Sequence, residues 1–311
     1  MAELVLHHYP SSPFAEKVRL ILGHKRLAWH GVLIPMTMPK PDLMALTGGY
    51  RKTPVLQIGA DIYCDTALIC DVLEHLAPTP TLYPEADKGA ARIVAQWADS
   101  ALFTTAMAWN FQPAGVAQLF AGAPAEVVQA FVADRTAMRG GAARMASADA
   151  GGTYKSYLRR IASMLHGQDF LFGAHPCVAD FAAYHPLWFT QTRTPAMAGI
   201  LEATPEVLVW MARMQAIGHA QMSPMSAEAA VQMAHAATPA PLSDEVFQDE
   251  HGIALGSPVV IAADSFGLEP TEGELVAATR TRYTLRRSDA RAGTLHVHFP
   301  RVGFTLKKAK P

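Results

Sequence analysis

Residues 4–20 have the sequence LVLHHYPSSPFAEKVRL, in which a short apolar run meets a helical pattern across a turn. The apolar run is too short for a helix, so it predicts a strand. Beyond the turn, apolar side chains recur at helical spacing at Phe14, Val18, Ile21 and Leu22. Ser12 is a good N-cap and Pro13 suits the first helical position, so we expect the helix to begin near Ser12.

A helix that begins at Ser12 has a chemical consequence. The start of a helix presents unpaired N–H groups and the positive end of the macrodipole, which stabilise an anion such as a thiolate. The pKa of a free thiol is about 8.5, and lowering it by about two units takes roughly 2.7 kcal/mol. A hydroxyl donor to a charged group contributes about 1.5–3 kcal/mol and a helix terminus about 0.3–2 kcal/mol, which together suffice. The alternative is that Ser12 only caps the helix, and spacing does not decide between the two roles.

Composition limits the class of protein. The chain has 311 residues, of which 50% are hydrophobic, so its length predicts two or three domains with a substantial core. A net charge of -1 argues against nucleic acid or an anionic membrane as a partner. The sequence shows no signal-peptide pattern and no apolar run long enough to span a membrane. Its three cysteines, at Cys64, Cys70 and Cys177, lack metal or redox spacing. We therefore expect a soluble, cytoplasmic protein with unpaired thiols.

The first eighty residues predict an α/β unit. A short strand is expected at residues 29–33, and a second at 53–58 has Pro54 at its entrance. A turn at residues 59–61 joins that strand to residues 62–64 in a hairpin. Asp65 and Thr66 then open a second helix, which prolines 78 and 80 close. The predicted order is β-α-β followed by β-β-α.

Three parts of this unit resemble the thioredoxin-like domain of cytosolic glutathione transferases: YPSSPFAEKVRL at residues 9–20, RKTPVLQIGADIYCDTALICDVLE at 51–74, and the interval between them. The serine-proline-phenylalanine motif is similar to that of the serine-type classes, notably tau, and occupies the position of the cysteine motif of omega enzymes. The resemblance implies a thioredoxin-like domain at residues 1–80 and an all-helical domain at 85–236. It also implies glutathione as co-substrate and a homodimer.

The resemblance also assigns roles to individual residues. Ser12 matches the hydroxyl that donates to the glutathione thiolate, and Tyr9 is the second candidate, because other classes use a tyrosine at the end of the first strand. The residues that match glutathione-binding positions are Lys40, Lys52, Thr53, Pro54, Asp65 and Thr66. Pro54 matches a cis-proline, and Lys52 is preferred to Lys40 as the partner of the glycyl carboxylate. Taken singly, these residues also suit a strand-entry proline, an N-cap and a solvated charge.

Residues 85–236 predict several helices. Apolar side chains recur at helical spacing between residues 87 and 111, a glycine- and proline-bearing break follows at 113–124, and a second helix is expected to about residue 145. The pair Gly151-Gly152 is expected to separate it from a third helix. Candidates for a pocket that holds the second, electrophilic substrate are Phe14, Phe103, Met107, Trp109 and Phe111, for which core packing is the alternative. Cys177 occupies the capping position where the family has a serine or threonine, with Asp180 three residues later.

Residues 238–311 lie outside the resemblance and predict a small β-rich domain. Strands are expected at residues 258–263, 274–287, 294–299 and 304–308. We expect the segment to form its own appended domain or to pack against the helical domain. Residues 238–274 carry eight acidic side chains and no basic ones, whereas 275–311 carry nine basic and one acidic. His296 and His298 share one side of a strand, but no third ligand lies at a recognisable spacing, so we expect no metal site.

The function that the sequence favours is a glutathione transferase that stabilises the glutathione thiolate for attack on a small hydrophobic electrophile. Two alternatives remain. The first is a non-catalytic protein that binds glutathione or hydrophobic ligands. The second is a glutathione-dependent reductase or isomerase. A serine instead of a cysteine at position 12 disfavours disulfide exchange.

Overall fold

The computed structural model describes residues 3–143, 145–242 and 246–310. Its N-terminal part is the predicted α/β unit, with one further short helix after the proline-rich segment. The elements are β1 (Val5–His8), α1 (Pro13–His24), β2 (Trp29–Leu33), α2 (Pro41–Thr47), β3 (Val55–Ile58), β4 (Asp61–Cys64) and α3 (Thr66–Leu76). β1 lies between parallel β2 and antiparallel β3, and β3 pairs with β4 in the expected hairpin.

The helical part follows in the order α4 (Lys88–Trp97), α5 (Phe103–Asn110), α6 (Pro113–Leu119), α7 (Ala125–Arg139), α8 (Ser147–Met164), α9 (Val178–Trp188) and α10 (Pro205–Ala216). A short π-helical segment at Ala98–Leu102, called the π-turn below, joins α4 to α5. The predicted helix is therefore continuous but locally widened. Two expectations were wrong. The break after residue 112 contains α6, and Gly151-Gly152 lies within α8. Gly151 is required there because a Cβ atom would lie 2.9 Å from the ring of Trp109.

The C-terminal strands extend the first sheet. After β5 (Met222–Met225) and α11 (Ala227–Ala236) come β6 (Pro258–Ala263), β7 (Thr271–Ala278), β8 (Arg282–Asp289), β9 (Gly293–Pro300) and β10 (Phe304–Lys308). The predicted single strand at 274–287 is in fact parts of β7 and β8, which form an antiparallel pair. β9 pairs in parallel with β4 and β5 pairs with β2, giving one sheet in the order β10-β6-β7-β8-β9-β4-β3-β1-β2-β5.

Two cores hold the layers together. One lies between the sheet, α1, α3 and the helical part, and its largest fully buried side chains include Trp210, Tyr154 and Phe181. The other lies on the opposite face and combines side chains of α2 and α11 with C-terminal strands, for example Leu46, Val231 and Leu285. The predicted fold class is confirmed, and the C-terminal strands share a core with the first domain. In the described part of the chain, no helix is long and apolar enough to cross a membrane.

Candidate functional site

Ser12 lies where the sequence predicts, at the N-cap of α1. Its Oγ accepts a hydrogen bond from the backbone N–H of Ala15 at 3.2 Å, and the residue is only 2% exposed. Tyr9, at the end of β1, contacts the same hydroxyl. Burial raises the pKa of Tyr9, and the opposing effects of Arg135 and Ser12 do not cancel that shift. The Tyr9 hydroxyl therefore stays protonated at neutral pH, and both candidate hydroxyls lie together.

Arg135 of α7 is a site residue that the sequence did not reveal. Its Nη2 donates to Tyr9 Oη at 3.3 Å and to the Met36 carbonyl at 3.0 Å, and its guanidinium lies 4.6 Å from the ring centroid of Phe131. Its Nη1 also pairs with Asp134, so the guanidinium favours an anion beside Tyr9 less strongly than an unpaired cation would. The only sequence signal was a basic residue on a helix expected to cover one side of the cleft.

The two candidate lysines occupy different surroundings. Lys40 is 4% exposed, lies 5.9 Å from the ring centroid of Tyr9, and its Nζ donates to the carbonyl of Arg51 at 3.1 Å. Burial and the positive charge of Arg135 lower the pKa of Lys40 to about 8. Lys52 instead lies over the rings of Tyr50 and Phe304, at 5.4 and 5.0 Å. Lys40, which the sequence ranked second, is thus the lysine beside Tyr9.

The backbone has two unusual conformations near the predicted glutathione-binding residues, one just before β3 and one at the start of α3. The Thr53–Pro54 peptide bond is cis, and Thr53 Oγ1 lies 3.4 Å from Lys40 Nζ. Asp65 caps α3 by accepting from the N–H of Ala67 at 2.9 Å, with a positive φ of 77° that is rare for a residue with a side chain. Such backbone strain concentrates at ligand-binding sites. Thr66 follows as the first residue of α3, so its first turn offers free N–H groups to a carboxylate.

A buried charge cluster lies beneath the start of α3. Lys17 Nζ is 2.5 Å from Asp99 Oδ2 and 3.2 Å from Thr66 Oγ1, and Asp99 Oδ1 is 3.0 Å from His185 Nε2. Burial opposes the charge of Lys17, but Asp99 outweighs it and the pKa of Lys17 is raised. Burial likewise acts to raise the pKa of Asp99, but Lys17 and His185 lower it. Asp99 lies on the π-turn, a feature that is frequent at functional sites.

The five candidate pocket residues separate into three groups. Phe14 and Phe103 contact each other with centroids 4.6 Å apart, and Phe14 lies 4.5 Å from the ring of His185. Phe111 is 37% exposed and stacks on Phe131 and Phe189. Met107 and Trp109 pack against the core of the helical part, and the indole N–H of Trp109 donates to the Met197 carbonyl at 3.1 Å. For Met107 and Trp109, core packing is thus the environment that the structure gives.

Two segments meet over this region, and we refer to α7 and residues 264–270 together as the cover. The N–H of Gly267 donates to the Met138 carbonyl at 2.8 Å, and a Cβ atom on Gly267 would lie 3.1 Å from the Lys52 side chain. Arg51 joins both segments, with Asp134 and Glu269 each 2.5 Å from its guanidinium. Ser12, Lys40 and Thr66 are at most 6% exposed, so this structure presents little of their side chains to a ligand.

The three thiols are buried away from this chemistry. Burial raises the pKa of Cys64 well above its usual value and that of Cys70 and Cys177 to about 12. Each is therefore a neutral thiol at physiological pH, and a neutral thiol is a poor nucleophile. Cys177 holds the predicted N-cap position of α9, where its backbone N–H donates to Asp180 at 3.0 Å. The Asp180 carboxylate also accepts from Leu171 and Trp210, each at 2.9 Å.

Comparison with known proteins identifies relatives of the chain. The family model for the N-terminal domain of glutathione S-transferases matches residues 6–81, and the model for the C-terminal domain matches residues 144–213. The crystal structure of a GST-like protein from Pseudomonas syringae is 46% identical, with a TM-score of 0.83, over 99% of this chain and 100% of its own. A glutathione S-transferase from Rhodospirillum rubrum F11 is 21% identical and covers 68% of this chain and 87% of its own at a TM-score of 0.51, which shows the fold alone.

Two curated proteins match shorter parts of the chain. FtsZ-localized protein A from Caulobacter vibrioides is 27% identical over 190 residues, which are 58% of this chain and 74% of that protein. Pyrimidodiazepine synthase from Drosophila melanogaster is 33% identical over 76 residues, which are 23% of this chain and 31% of that protein. This chain therefore spans less than a third of the length of the Drosophila protein. The match to the Pseudomonas protein covers 99% of this chain and therefore includes the C-terminal strands.

Proposed function

Since the chain belongs to the cytosolic glutathione S-transferase superfamily, we propose that it binds glutathione and transfers its sulfur to a small hydrophobic electrophile. The observation that carries the proposal is the convergence of Ser12, Tyr9 and Arg135 at the start of α1. Tyr9 contacts both Ser12 and Arg135, so two hydroxyls and a guanidinium, itself paired with Asp134, lie beside one helix terminus.

Glutathione would lie between the two helix starts. In the arrangement we propose, the backbone of Thr53 before Pro54 pairs with the cysteinyl part, and Asp65 and the first turn of α3 hold the γ-glutamyl end. Lys40 holds the glycyl carboxylate, with Lys52 as the alternative. The thiol then lies near Ser12, and the hydroxyls and Arg135 stabilise it as a thiolate.

The electrophile would lie beside Phe14 and Phe103. These rings form an apolar wall next to the start of α1, and Phe111, which follows the last residue of α5, is a further candidate. The thiolate sulfur attacks the electrophilic carbon, the carbon–sulfur bond forms, and the leaving group departs with its electron pair. The protein contributes proximity and thiolate stabilisation, and forms no covalent intermediate with the substrate.

A non-catalytic binding protein is the second candidate. Its support is the burial of Ser12 and the similarity to FtsZ-localized protein A, whose name describes a location and no reaction. The glutathione-dependent reductase or isomerase is less favoured, because position 12 carries a hydroxyl and the three cysteines are buried, neutral thiols. A homodimer and a cytoplasmic location remain predictions.

The experiment that tests the proposal is the ultraviolet thiolate absorbance of bound glutathione as a function of pH. We expect a bound thiol pKa at least about two units below its free value, because the donors and helix terminus together supply that energy. Ser12→Gly removes the hydroxyl but costs the helix cap only a few tenths of a kcal/mol, so it isolates the donor. Tyr9→Phe and Arg135→Gln test the other two groups.

Ser11→Ala is the matched control, since this neighbouring serine bonds only the Met36 sulfur, at 3.4 Å, among the contacts described for its side chain. A return of the pKa toward its free value in Ser12→Gly, with no change in Ser11→Ala, supports the transferase mechanism. Glutathione that binds with an unshifted thiol pKa would instead favour the binding protein.

A further inference from the structure

The sequence left His296 and His298 without a third ligand, and the sheet supplies one. β9 pairs in parallel with β4, in a register that places His296 opposite Asp61 and His298 opposite Tyr63. Because alternate residues of paired strands share a face, Asp61 and both imidazoles lie on the same side of the sheet. We propose that Asp61, His296 and His298 bind one divalent transition-metal ion, of which Zn²⁺ is the probe.

The donor atoms have the spacing that such an ion needs. Asp61 Oδ1 lies 2.9 Å from His298 Nε2 and 3.7 Å from His296 Nδ1, and all three donor atoms lie within 4.8 Å of one another. Zinc binds nitrogen and carboxylate oxygen at about 2.0–2.2 Å, so two ligands of one ion are about 3.0–3.5 Å apart. The two distances from Asp61 bracket this range, and small side-chain rotations would bring the two histidine nitrogens, which lie within 4.8 Å of each other, to the same spacing.

His296 is the residue that most clearly points to a ligand. Its Nδ1 is buried and has no hydrogen-bond partner among the described residues, although its nearest charged neighbour is Asp61. A buried ring nitrogen without a partner is costly, and coordination to a metal would remove that cost.

The surroundings also orient the other two ligands. His298 is 3% exposed, its ring is stacked on Tyr63 with centroids 4.5 Å apart, and its Nδ1 lies 3.0 Å from Thr284 Oγ1. Asp61 uses its second oxygen to accept from the N–H of Ala240 at 2.7 Å, which leaves Oδ1 for the metal. Outer hydrogen bonds of this kind hold the ligands of protein metal sites.

Proton balance is satisfied without a further group. In the metal-free state, His298 Nε2–H donates to Asp61, and Thr284 donates to Nδ1. When the metal takes Nε2, the ring keeps one proton on Nδ1, which then donates to the Thr284 oxygen, since a hydroxyl both donates and accepts. The ion would tie β9 to β4, and so the C-terminal strands to the first sheet, with solvent completing its coordination.

The test is titration of the full-length, tag-free chain, first dialysed against a chelator, with Zn²⁺ in a calorimeter. We expect one ion per chain, and a Co²⁺ absorption spectrum typical of nitrogen and oxygen ligands. His296→Ala should raise Kd at least about tenfold, and so should Asp61→Asn, which keeps the shape of the side chain. His251→Ala is the matched control, because it removes an exposed histidine of the same C-terminal region.

Circular dichroism establishes that each variant is folded. His296 is the most accessible of the three ligands, so His296→Ala keeps the test decisive if Asp61→Asn does not fold. Equal Zn²⁺ affinity in the wild-type chain and in folded His296→Ala, or no binding to the wild-type chain, would overturn the proposal.

Discussion

Lys40 and Lys52 differ in what surrounds the charge, although they lie only twelve residues apart. Lys40 contacts backbone and hydroxyl oxygens beside Tyr9, and burial together with Arg135 lowers its pKa to about 8. Burial also lowers the pKa of Lys52, whose ammonium lies over two aromatic rings. A lysine with a lowered pKa loses its charge within an accessible pH range, so its contribution to anion binding can be measured by titration.

The residue-scale prediction concerns the affinity for S-methylglutathione, which has no titrating thiol. If Lys40 holds a carboxylate of the ligand, Kd should rise as pH increases above about 8, because the ammonium is then neutral in the free protein. Lys40→Arg should lack this rise, since a guanidinium stays charged. Titration calorimetry between about pH 6.5 and 9.5 measures Kd for S-methylglutathione with each protein.

Lys52→Arg is the matched variant for that experiment. The ligand's own amino group titrates equally in experiments with the wild-type chain, Lys40→Arg and Lys52→Arg. Only differences between their plots of Kd against pH are therefore informative. Removal of the pH dependence by Lys52→Arg and not by Lys40→Arg would assign the carboxylate to Lys52.

The π-turn at Ala98–Leu102 contacts two other parts of the chain. The wider turn belongs to the helical part, yet it carries Asp99 to Lys17 of α1 and to His185 of α9. Lys17 is 1% exposed, so its ammonium depends on this carboxylate and on Thr66. Removing one partner of a buried ion pair leaves an uncompensated charge.

The element-scale prediction is that Asp99→Asn lowers the free energy of unfolding by about 3 kcal/mol. The pKa of Asp99 is lowered on folding, so its contribution is complete above about pH 4 and is lost as pH falls through the folded value. The pKa of Lys17 is raised, so its contribution is complete below about pH 10.4 and is lost at higher pH. His185 also bonds Asp99, and burial lowers the pKa of this imidazole, so the stability difference should be constant between about pH 7.5 and 10, where His185 is neutral in both the folded and the unfolded chain.

Urea denaturation at several pH values measures this difference. Ser100→Ala is the control, because it changes the next residue of the same turn, whose exposed hydroxyl bonds only carbonyls of the preceding turn. If Asp99→Asn is as stable as Ser100→Ala, the contacts of Asp99 with Lys17 and His185 do not stabilise the fold.

At the scale of the whole molecule, Arg51 connects all three parts of the chain. It belongs to the segment before β3, and it pairs with Asp134 in the helical part and with Glu269 in the C-terminal part. The C-terminal acidic and basic halves also pair with each other, as Arg286 with Glu274 at 2.7 Å and Arg301 with Glu250. Arg51 therefore links both segments of the cover to the segment before β3.

The whole-molecule prediction is that Glu269→Gln speeds the binding of glutathione, because it removes one ion pair between the cover and Arg51. The Glu269 side chain is 38% exposed, and a partly exposed ion pair contributes up to about 1 kcal/mol, so we expect at most about a fivefold faster association. Stopped-flow fluorescence measures the rate. Glu272→Gln on β7 is the control, and an unchanged rate in Glu269→Gln would mean that the cover does not limit entry.

Local rules determined much of this protein. The strand, turn and helix at residues 4–20, the N-caps at Ser12 and Asp65, and the hairpin of β3 and β4 follow from propensity, capping and alternation within a few residues. The same local patterns placed most C-terminal strands. They missed the turn between β7 and β8, where arginine and threonine take positions that the strand pattern also allows.

Only the tertiary structure decided which of those elements contact each other. Arg135 reaches Tyr9 across 126 residues of chain, and His298 reaches Asp61 across 237. Such contacts depend on which strand edges remain free and in what register they pair, and no local sequence pattern encodes either. The free edge of β4 accepted β9, so the C-terminal strands continued the first sheet, and the same pairing brought an aspartate to two histidines.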